Sequence, residues 1–170
     1  MGQSVSLKFK KRNNFVIFIL LFSISTFLIL EIFSKTLFDI IITDRSGQKI
    51  FFKEQINSGD RFSISYIHSV EKTPVIEIFE INKNYQIVLK ETHTVSTGAG
   101  LPSQVFNQEV FIHEDNKFKI KNINRILSFI PFTISQSAKD MFYFLDTEID
   151  LSSVIGNSIV YIKIIKESNK

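Results

Sequence analysis

The chain has 170 residues, of which 44% are hydrophobic, so it can build one ordinary domain and a short additional segment. It contains no cysteine, which excludes disulfides, thiolate catalysis and cysteine-ligated metal sites. The net charge of +3 comes from a basic cluster between Lys8 and Arg12, because residues 34–170 hold 16 basic and 16 acidic side chains. We therefore expect no nucleic-acid partner.

The first predicted element is a transmembrane helix over residues 15–33. The segment from Phe15 to Leu30 carries no charge, and apolar residues continue past Glu31 to Phe33. A helix of this length spans about 28 Å, close to the roughly 30 Å of a bilayer core. Cleavage as a signal peptide is the alternative, but residues 31–35 contain no small-x-small site, which favours retention as an anchor.

The basic residues before this helix set its expected orientation. Lysine and arginine flanks stay on the cytoplasmic side, so the rest of the chain is expected to cross the membrane. The sequence thus predicts a single-pass protein of the cytoplasmic (inner) membrane with three parts: a basic cytoplasmic tail over 1–14, an anchor over 15–33 and an extracytoplasmic domain over 34–170.

The predicted extracytoplasmic part has the composition of an all-β domain. Short runs rich in Ile, Val, Phe and Tyr alternate with the small polar residues that turns require. Phe62, Ile64 and Tyr66 alternate with polar neighbours, which is the period of a strand with one solvent-exposed face. Strands are predicted over 37–43, 48–53, 61–67, 75–81, 85–91, 105–113, 118–121, 141–145 and 158–165. Because short turns join neighbouring strands, we expect a mainly antiparallel sandwich or a partly open barrel.

One short amphipathic helix is predicted within this domain. Ile123, Ile126, Leu127 and Ile130 fall at positions i, i+3, i+4 and i+7, and Pro131 would end the helix. Such a stripe covers a sheet more often than it enters a bilayer surface, so we expect the helix to pack on the core.

The first candidate site is the polar segment over residues 66–77, which contains His68, Ser69, Glu71 and Glu77. A hydrolase would need His68 to activate Ser69, but adjacent residues of an extended chain point to opposite faces, and no G-x-S-x-G motif is present. A metal site joining His68 to the distant His93 has no predefining spacing. The sequence therefore predicts no catalytic residue, metal or cofactor. A ligand- or partner-binding turn is the functional interpretation, and a histidine bonded to a nearby backbone group is the structural one.

The second candidate site is the loop over 96–103, which contains Gly98, Gly100 and Pro102. Paired glycines could expose successive amides to an anion or a carboxylate, although the lysine and helix of a nucleotide-binding loop are missing. A purely structural turn explains the same residues.

The two segments together resemble a known family. The pattern Tyr66-x-His68-Ser69-Val70 with Pro74-Val75-x-Glu77, followed by Gly98-Ala99-Gly100-Leu101-Pro102, is similar to the signature of the bacterial domain-of-unknown-function 1850 family (DUF1850), over about residues 37–130. The resemblance implies a small, often membrane-anchored protein encoded beside tripartite ATP-independent periplasmic (TRAP) transporters that use TAXI solute receptors. It implies no catalytic activity, and it singles out His68, Ser69, Glu77, Gly98, Gly100 and Pro102 as one surface formed by two loops.

The function expected from the anchor and the resemblance is a non-enzymatic accessory module at the extracytoplasmic membrane face, in contact with a TRAP transporter subunit or its solute receptor. The alternative is a small-ligand domain in which the amides of Gly98 to Gly100 and the charge of His68 or Arg61 bind a carboxylate. A hydrolase is the third and least supported class, since sequence spacing gives it no assembled nucleophile.

Overall fold

A computed structural model of the chain describes residues 16–26, 37–95, 106, 108–114, 117–136 and 138–167. The chain forms two compact units, Met1–Thr36 and Leu37–Lys170. In the first unit, helix α1 covers residues 16–26, and the hydroxyls of Ser23 and Thr26 each donate a hydrogen bond of 2.9 Å to a carbonyl three residues earlier. Among the residues described, no helix combines the length and the apolar character that crossing a membrane requires. Residues 27–33 of the predicted anchor lie outside the described residues, so the anchor stays a prediction.

The second unit, called the β unit below, is built almost entirely of strands. They are β1 (Phe38–Asp44), β2 (Ile50–Ile56), β3 (Arg61–Ile67), β4 (Pro74–Ile81), β5 (Ile87–Thr94), β6 (Val110–Glu114), β7 (Lys117–Lys121), β8 (Arg125–Leu127), β9 (Ile130–Ile134), β10 (Met141–Phe144), β11 (Thr147–Asp150) and β12 (Ser158–Lys166), with the short helix α2 (Leu151–Val154) between the last two. The strand pairs are antiparallel. The all-β prediction is confirmed.

The strands form two sheets. A four-stranded sheet has the order β2-β1-β12-β9, and an eight-stranded sheet has the order β11-β10-β3-β4-β5-β7-β6, with β8 also paired to β5. The predicted C-terminal strand over 158–165 is confirmed as a central strand, because β12 lies between β1 and β9. Strand β1 is paired along its length on both sides, with β12 and with β2.

The hydrophobic core lies between the two sheets. Ile42 of β1 and Ile64 of β3 are fully buried in one cluster that draws side chains from both sheets. Phe52 of the four-stranded sheet meets Phe142 of the eight-stranded sheet with ring centroids 5.2 Å apart. Two sheets that bury their inner faces against each other are the arrangement that period-two alternation favours.

The chain enters the β unit at one end of the sheets, and the turn between β3 and β4 lies at the other end. Phe38 pairs with Ile56, and the next turn leads directly to Arg61, so β1 and β3 begin at the same end. Seven residues of extended chain cover roughly 20 Å, which places the turn after Ile67 at the opposite end. Strand β9 also ends there, because its last residue pairs with the first residue of β12.

The predicted amphipathic helix from Ile123 to Ile130 is wrong. This segment forms β8 on the eight-stranded sheet and the start of β9 on the four-stranded sheet. Asn122 and Asn124 have φ angles of 60° and 54°, in the left-handed region that a right-handed helix excludes. Pro131 lies within β9, an edge strand, where proline is tolerated. The four apolar residues of the predicted stripe do not share one buried face, because Ile126 is 58% exposed whereas Ile130 is buried, so the helical spacing was a coincidence.

Candidate binding cleft

The turn between β3 and β4, residues 68–73, is closed by its own backbone. The His68 N–H donates to the Thr73 carbonyl at 2.8 Å, and the Lys72 N–H donates to the His68 carbonyl at 2.9 Å. Lys72 has a φ of 54°, so a left-handed residue reverses the chain here. The His68 side chain adds a further bond, because its Nδ1 accepts from the Glu71 N–H at 3.1 Å. The turn is therefore a fixed support for the side chains on its surface.

The position of His68 bears directly on the hydrolase hypothesis. Its Nδ1 is an acceptor, so the proton of the neutral ring belongs on Nε2. Ser69 is exposed, and none of the hydrogen bonds among the described residues joins it to His68. In this structure the two side chains do not form a nucleophile and base pair.

A cleft of about 580 Å³ opens beside this turn. One wall is the end of β3 with the turn, including Tyr66, His68 and Lys72, and the other wall is the segment over 132–140. The rings of Tyr66 and Phe132, one from each wall, meet edge to face with centroids 5.7 Å apart. The volume lies within the range of roughly 300–1,000 Å³ that is usual for small-molecule sites.

Hydrogen bonds around Asp140 hold the second wall. Asp140 is only 2% exposed, and its carboxylate accepts from the Ser135 N–H at 2.7 Å. Ser152 Oγ accepts from the Asp140 N–H at 2.8 Å and donates to the Ser135 carbonyl at 2.9 Å. Burial raises the pKa of Asp140, and the bonds from Ser135 and Ser152 oppose that rise. This wall is thus as firmly built as the turn that faces it.

The cleft presents one cation at its surface. Lys72 is exposed, and it forms no ion pair with any residue that the structure describes. Because Asp140 is buried within its own hydrogen bonds, the accessible charge of the cleft is positive. An anionic group is the ligand chemistry that this surface would attract.

Comparison with known protein families gives a match to "Domain of unknown function (DUF1850)" over residues 62–151, which is more than half of the chain. The chain belongs to this family. The matched region of the DUF1850 chain begins in β3, includes the whole of the turn and the Asp140 wall, and ends at α2. No curated protein and no solved structure matches the chain.

Glu77, the other predicted site residue of the DUF1850 signature, is not on the surface of the turn. It lies on β4, opposite Ile64 of β3 and Thr92 of β5. Burial raises the pKa of Glu77, and the charge of Arg125 lowers it by less. Burial, and then the Glu77 charge, raises the pKa of the Tyr66 phenol well above its ordinary range.

The remaining predicted residues have different outcomes. Gly98, Gly100 and Pro102 lie outside the described residues, so the predicted two-loop surface stays a prediction. Glu71 lies within the turn and contributes its N–H to His68. Arg61, considered as a carboxylate ligand, is at the other end of β3 and pairs with Glu80 at 2.9 Å.

The histidines do not converge on a metal site within the described part of the chain, where no three metal-ligating side chains cluster. His93 lies on β5 and bonds to Glu91 on the same strand at 2.9 Å. Sequence reasoning missed Asp140, which lines the cleft with His68, because sheet packing brings these two residues together. It also missed Thr92, the cross-strand neighbour of Glu77, because strand register brings that pair together. Lys72 was visible in the sequence as a turn residue, but its place on a cleft wall was not.

Proposed function

We propose that this DUF1850 chain is a non-enzymatic accessory domain, anchored in the cytoplasmic membrane by residues 15–33, that binds a partner protein on the extracytoplasmic side. The partner proposed from the family resemblance is the solute receptor or a membrane subunit of a TRAP transporter. The observation that carries the proposal is the apolar tip of a rigid turn, since Val70 is 68% exposed within residues 68–73. A partner protein that covered this fixed apolar side chain would remove its apolar area from water.

The character of α1 supports the anchor. Eight apolar side chains within residues 16–26 are each at least half exposed, from Ile19 at 50% to Phe18 at 65%. A helix that is apolar on all sides is stable in lipid or inside protein and not in water. Within the β unit, Leu37 and the turn lie at opposite ends of the sheets. Tethering also raises the effective concentration of a weak partner.

The test is co-purification, from membranes, of the full-length chain with components of the TRAP transporter that the family resemblance implies. Val70→Glu is expected to abolish capture of the partner, because it places a charge at the centre of the docking surface. The matched control is Leu145→Glu, which alters an equally exposed leucine (67%) in the turn after β10, at the other end of β3. Absence of every transporter component from the wild-type eluate, or equal capture by Val70→Glu, would overturn the proposal.

A second candidate function is the binding of a small carboxylate in the cleft. Lys72 favours it, as an unpaired cation on the wall of a space of about 580 Å³. Thermal unfolding of the full-length chain, followed with acetate, propionate and succinate, should give a rise in Tm that is lost in Lys72→Met. The candidate is rejected when no carboxylate raises the Tm, or when the rise survives in the variant.

A further inference from the structure

The inner face of the eight-stranded sheet carries three neighbouring polar side chains near the turn. They are Tyr66 on β3, Glu77 on β4 and Thr92 on β5, and we call them the inner polar row. Glu77 is directly opposite Thr92, and Tyr66 is the next inward-facing residue after Ile64, the other partner of Glu77. Opposite residues have Cβ atoms about 4.5–5.5 Å apart and diagonal ones about 7–8 Å apart. One small molecule can therefore reach all three groups.

The alternation along β4 places Glu77 on the core side. Phe79 and Ile81 follow it at intervals of two residues and are almost fully buried, and Val75 precedes it at the same interval and is fully buried. Thr92 is only 5% exposed. The inner polar row thus lies on three adjacent strands, next to Thr94, a further buried polar residue of β5.

The inner polar row lacks internal partners. Among the described residues, none donates a hydrogen bond to the Glu77 carboxylate, and none bonds to the hydroxyls of Tyr66 or Thr92. Arg125 influences Glu77 electrostatically but forms no ion pair with it. Thr92 is buried, whereas Tyr66 and Glu77 are half-buried, so the row combines polar groups that lack partners among the described residues with partial access from outside.

Folding alone does not account for these residue types. Toward the other end of the same three strands, the inward positions are occupied by Phe62, Phe79 and Leu89, which build the core with apolar side chains. Apolar residues at the three polar positions would remove the desolvation cost of unpaired groups. Tyr66 of the row also borders the cleft, so the polar groups lie where a ligand can approach them.

We propose that the inner polar row binds a small molecule that carries a protonated primary amine, with Glu77 as the counter-charge and the oxygens of Tyr66 and Thr92 as further acceptors. An ammonium group has three donors and no acceptor, which matches three acceptor oxygens around one negative charge. This site goes beyond the proposed function, which concerns Val70 and the outer surface of the turn. Tyr66 also lines the cleft, so the row lies next to a space through which a ligand can arrive.

The experiment uses matched sets of probes on the full-length chain. Each set contains an L-amino acid, its decarboxylated amine and its deaminated acid: alanine, ethylamine and propionate; leucine, isopentylamine and 4-methylpentanoate; phenylalanine, phenethylamine and 3-phenylpropionate. In at least one set, the amino acid and the amine should raise the Tm, and the acid should not. Absence of any amine-dependent rise in all three sets would overturn the inference.

The variant Glu77→Gln keeps the shape of the side chain and removes its charge. It should weaken amine binding about ten- to hundred-fold, the effect of losing a charged hydrogen-bond partner. Glu80→Gln, on the same strand but outward-facing, is the matched control and should bind as the wild type does. Equal amine affinity in Glu77→Gln contradicts the inference, whereas loss of partner capture in Val70→Glu tests only the proposed function.

A second readout covers the case in which Glu77→Gln does not fold. The side-chain carboxyl of Glu77 can be titrated by ¹³C NMR in the wild-type chain, with and without the amine that gave the largest rise in Tm. A bound ammonium should lower the pKa of Glu77, because an adjacent positive charge favours the ionised form. An unchanged pKa under saturating amine would overturn the inference without any substitution.

Discussion

The two ends of the eight-stranded sheet differ in what their inward side chains do. Toward the end where the chain enters, inward positions of β3, β4 and β10 hold Phe62, Phe79 and Phe144, with exposures of 2% or less. Toward the turn, the same strands place Tyr66 and Glu77 inward, followed by a turn with an exposed apolar tip. One end therefore stabilises the fold, and the other end tolerates polar burial at a cost to stability. A single strand can thus contribute to the core at one end and to a candidate binding site at the other.

The largest expected effect is in the apolar core between the two sheets. Phe142→Ala should lower the free energy of unfolding by about 3–5 kcal/mol, because it leaves a cavity among fully buried side chains. Phe142 is 0% exposed and contacts the rings of Phe52 and Phe62, with centroid distances of 5.2 and 5.7 Å. Urea unfolding followed by circular dichroism measures the change. Leu145→Ala, at a residue 67% exposed, should change stability by less than about 0.5 kcal/mol, and equal losses in the two variants would refute the assignment of the core.

Removal of the Glu77 charge should raise stability at neutral pH, a change opposite in sign to that of Phe142→Ala. Burial holds the pKa of Glu77 above its ordinary value of 4.5, so the folded chain binds more protons there than the unfolded chain does. The stability that protonated Glu77 contributes is fully present below the pKa that Glu77 has in the unfolded chain. It is lost as the pH rises through the higher pKa that Glu77 has in the folded chain. In Glu77→Gln, the fall in unfolding free energy above about pH 4.5 should therefore be smaller. At pH 7 the variant should be more stable, by on the order of 1 kcal/mol.

Denaturant titrations of both proteins between pH 4 and 8 test this expectation. Asp140, whose pKa is also raised, contributes equally to the pH dependence of the unfolding free energy in both proteins. Its contribution therefore cancels when the two proteins are compared. A Glu77→Gln chain that is less stable than the wild type at pH 7 would show that Glu77 makes a stabilising bond, and the contrast between the two ends would then fail.

The smallest expected effect separates the two adjacent residues of the turn. His68→Ala should cost about 1 kcal/mol, because the Glu71 N–H loses its acceptor. Ser69→Ala should be neutral within about 0.5 kcal/mol, since its side chain is exposed. Hydrogen exchange of the Glu71 amide measures the local opening of the turn. Faster exchange of the Glu71 amide in Ser69→Ala, together with an unchanged rate in His68→Ala, would show that Ser69 and not His68 stabilises the turn.

The sequence allowed much of the strand pattern to be predicted, for reasons that are local. The alternation of Phe62, Ile64 and Tyr66 predicted β3 with its observed limits, and the strands predicted over 37–43 and 48–53 correspond to β1 and β2. Strands β8, β9 and β11 were missed. The segment with β8 and β9 was predicted as a helix, because the spacing of apolar residues does not reveal the left-handed φ angles of Asn122 and Asn124.

The candidate site was predicted only in part. His68, Ser69 and Glu77 were identified through a family resemblance, and alternation with Phe79 and Ile81 would have placed Glu77 inward. The sequence could not show that Thr92 is its cross-strand neighbour or that Asp140 belongs to the opposing wall of the cleft, since both depend on long-range register and sheet packing. A site assembled from β3, β4, β5 and the segment before β10 has no contiguous signature.

The complete pairing of β1 has a mechanical consequence. The chain enters the β unit at the start of β1, and the turn lies at the far end of the sheets, so a load between them acts along the strand direction. Seven residues of β1 are paired with β12, and the other side of β1 is paired with β2. Under such a load, the hydrogen bonds of both ladders are sheared together and share the force, instead of opening one after another as in a zipper. Under the proposed tethering, the β unit would therefore resist being pulled apart strand by strand from the point where the chain enters it.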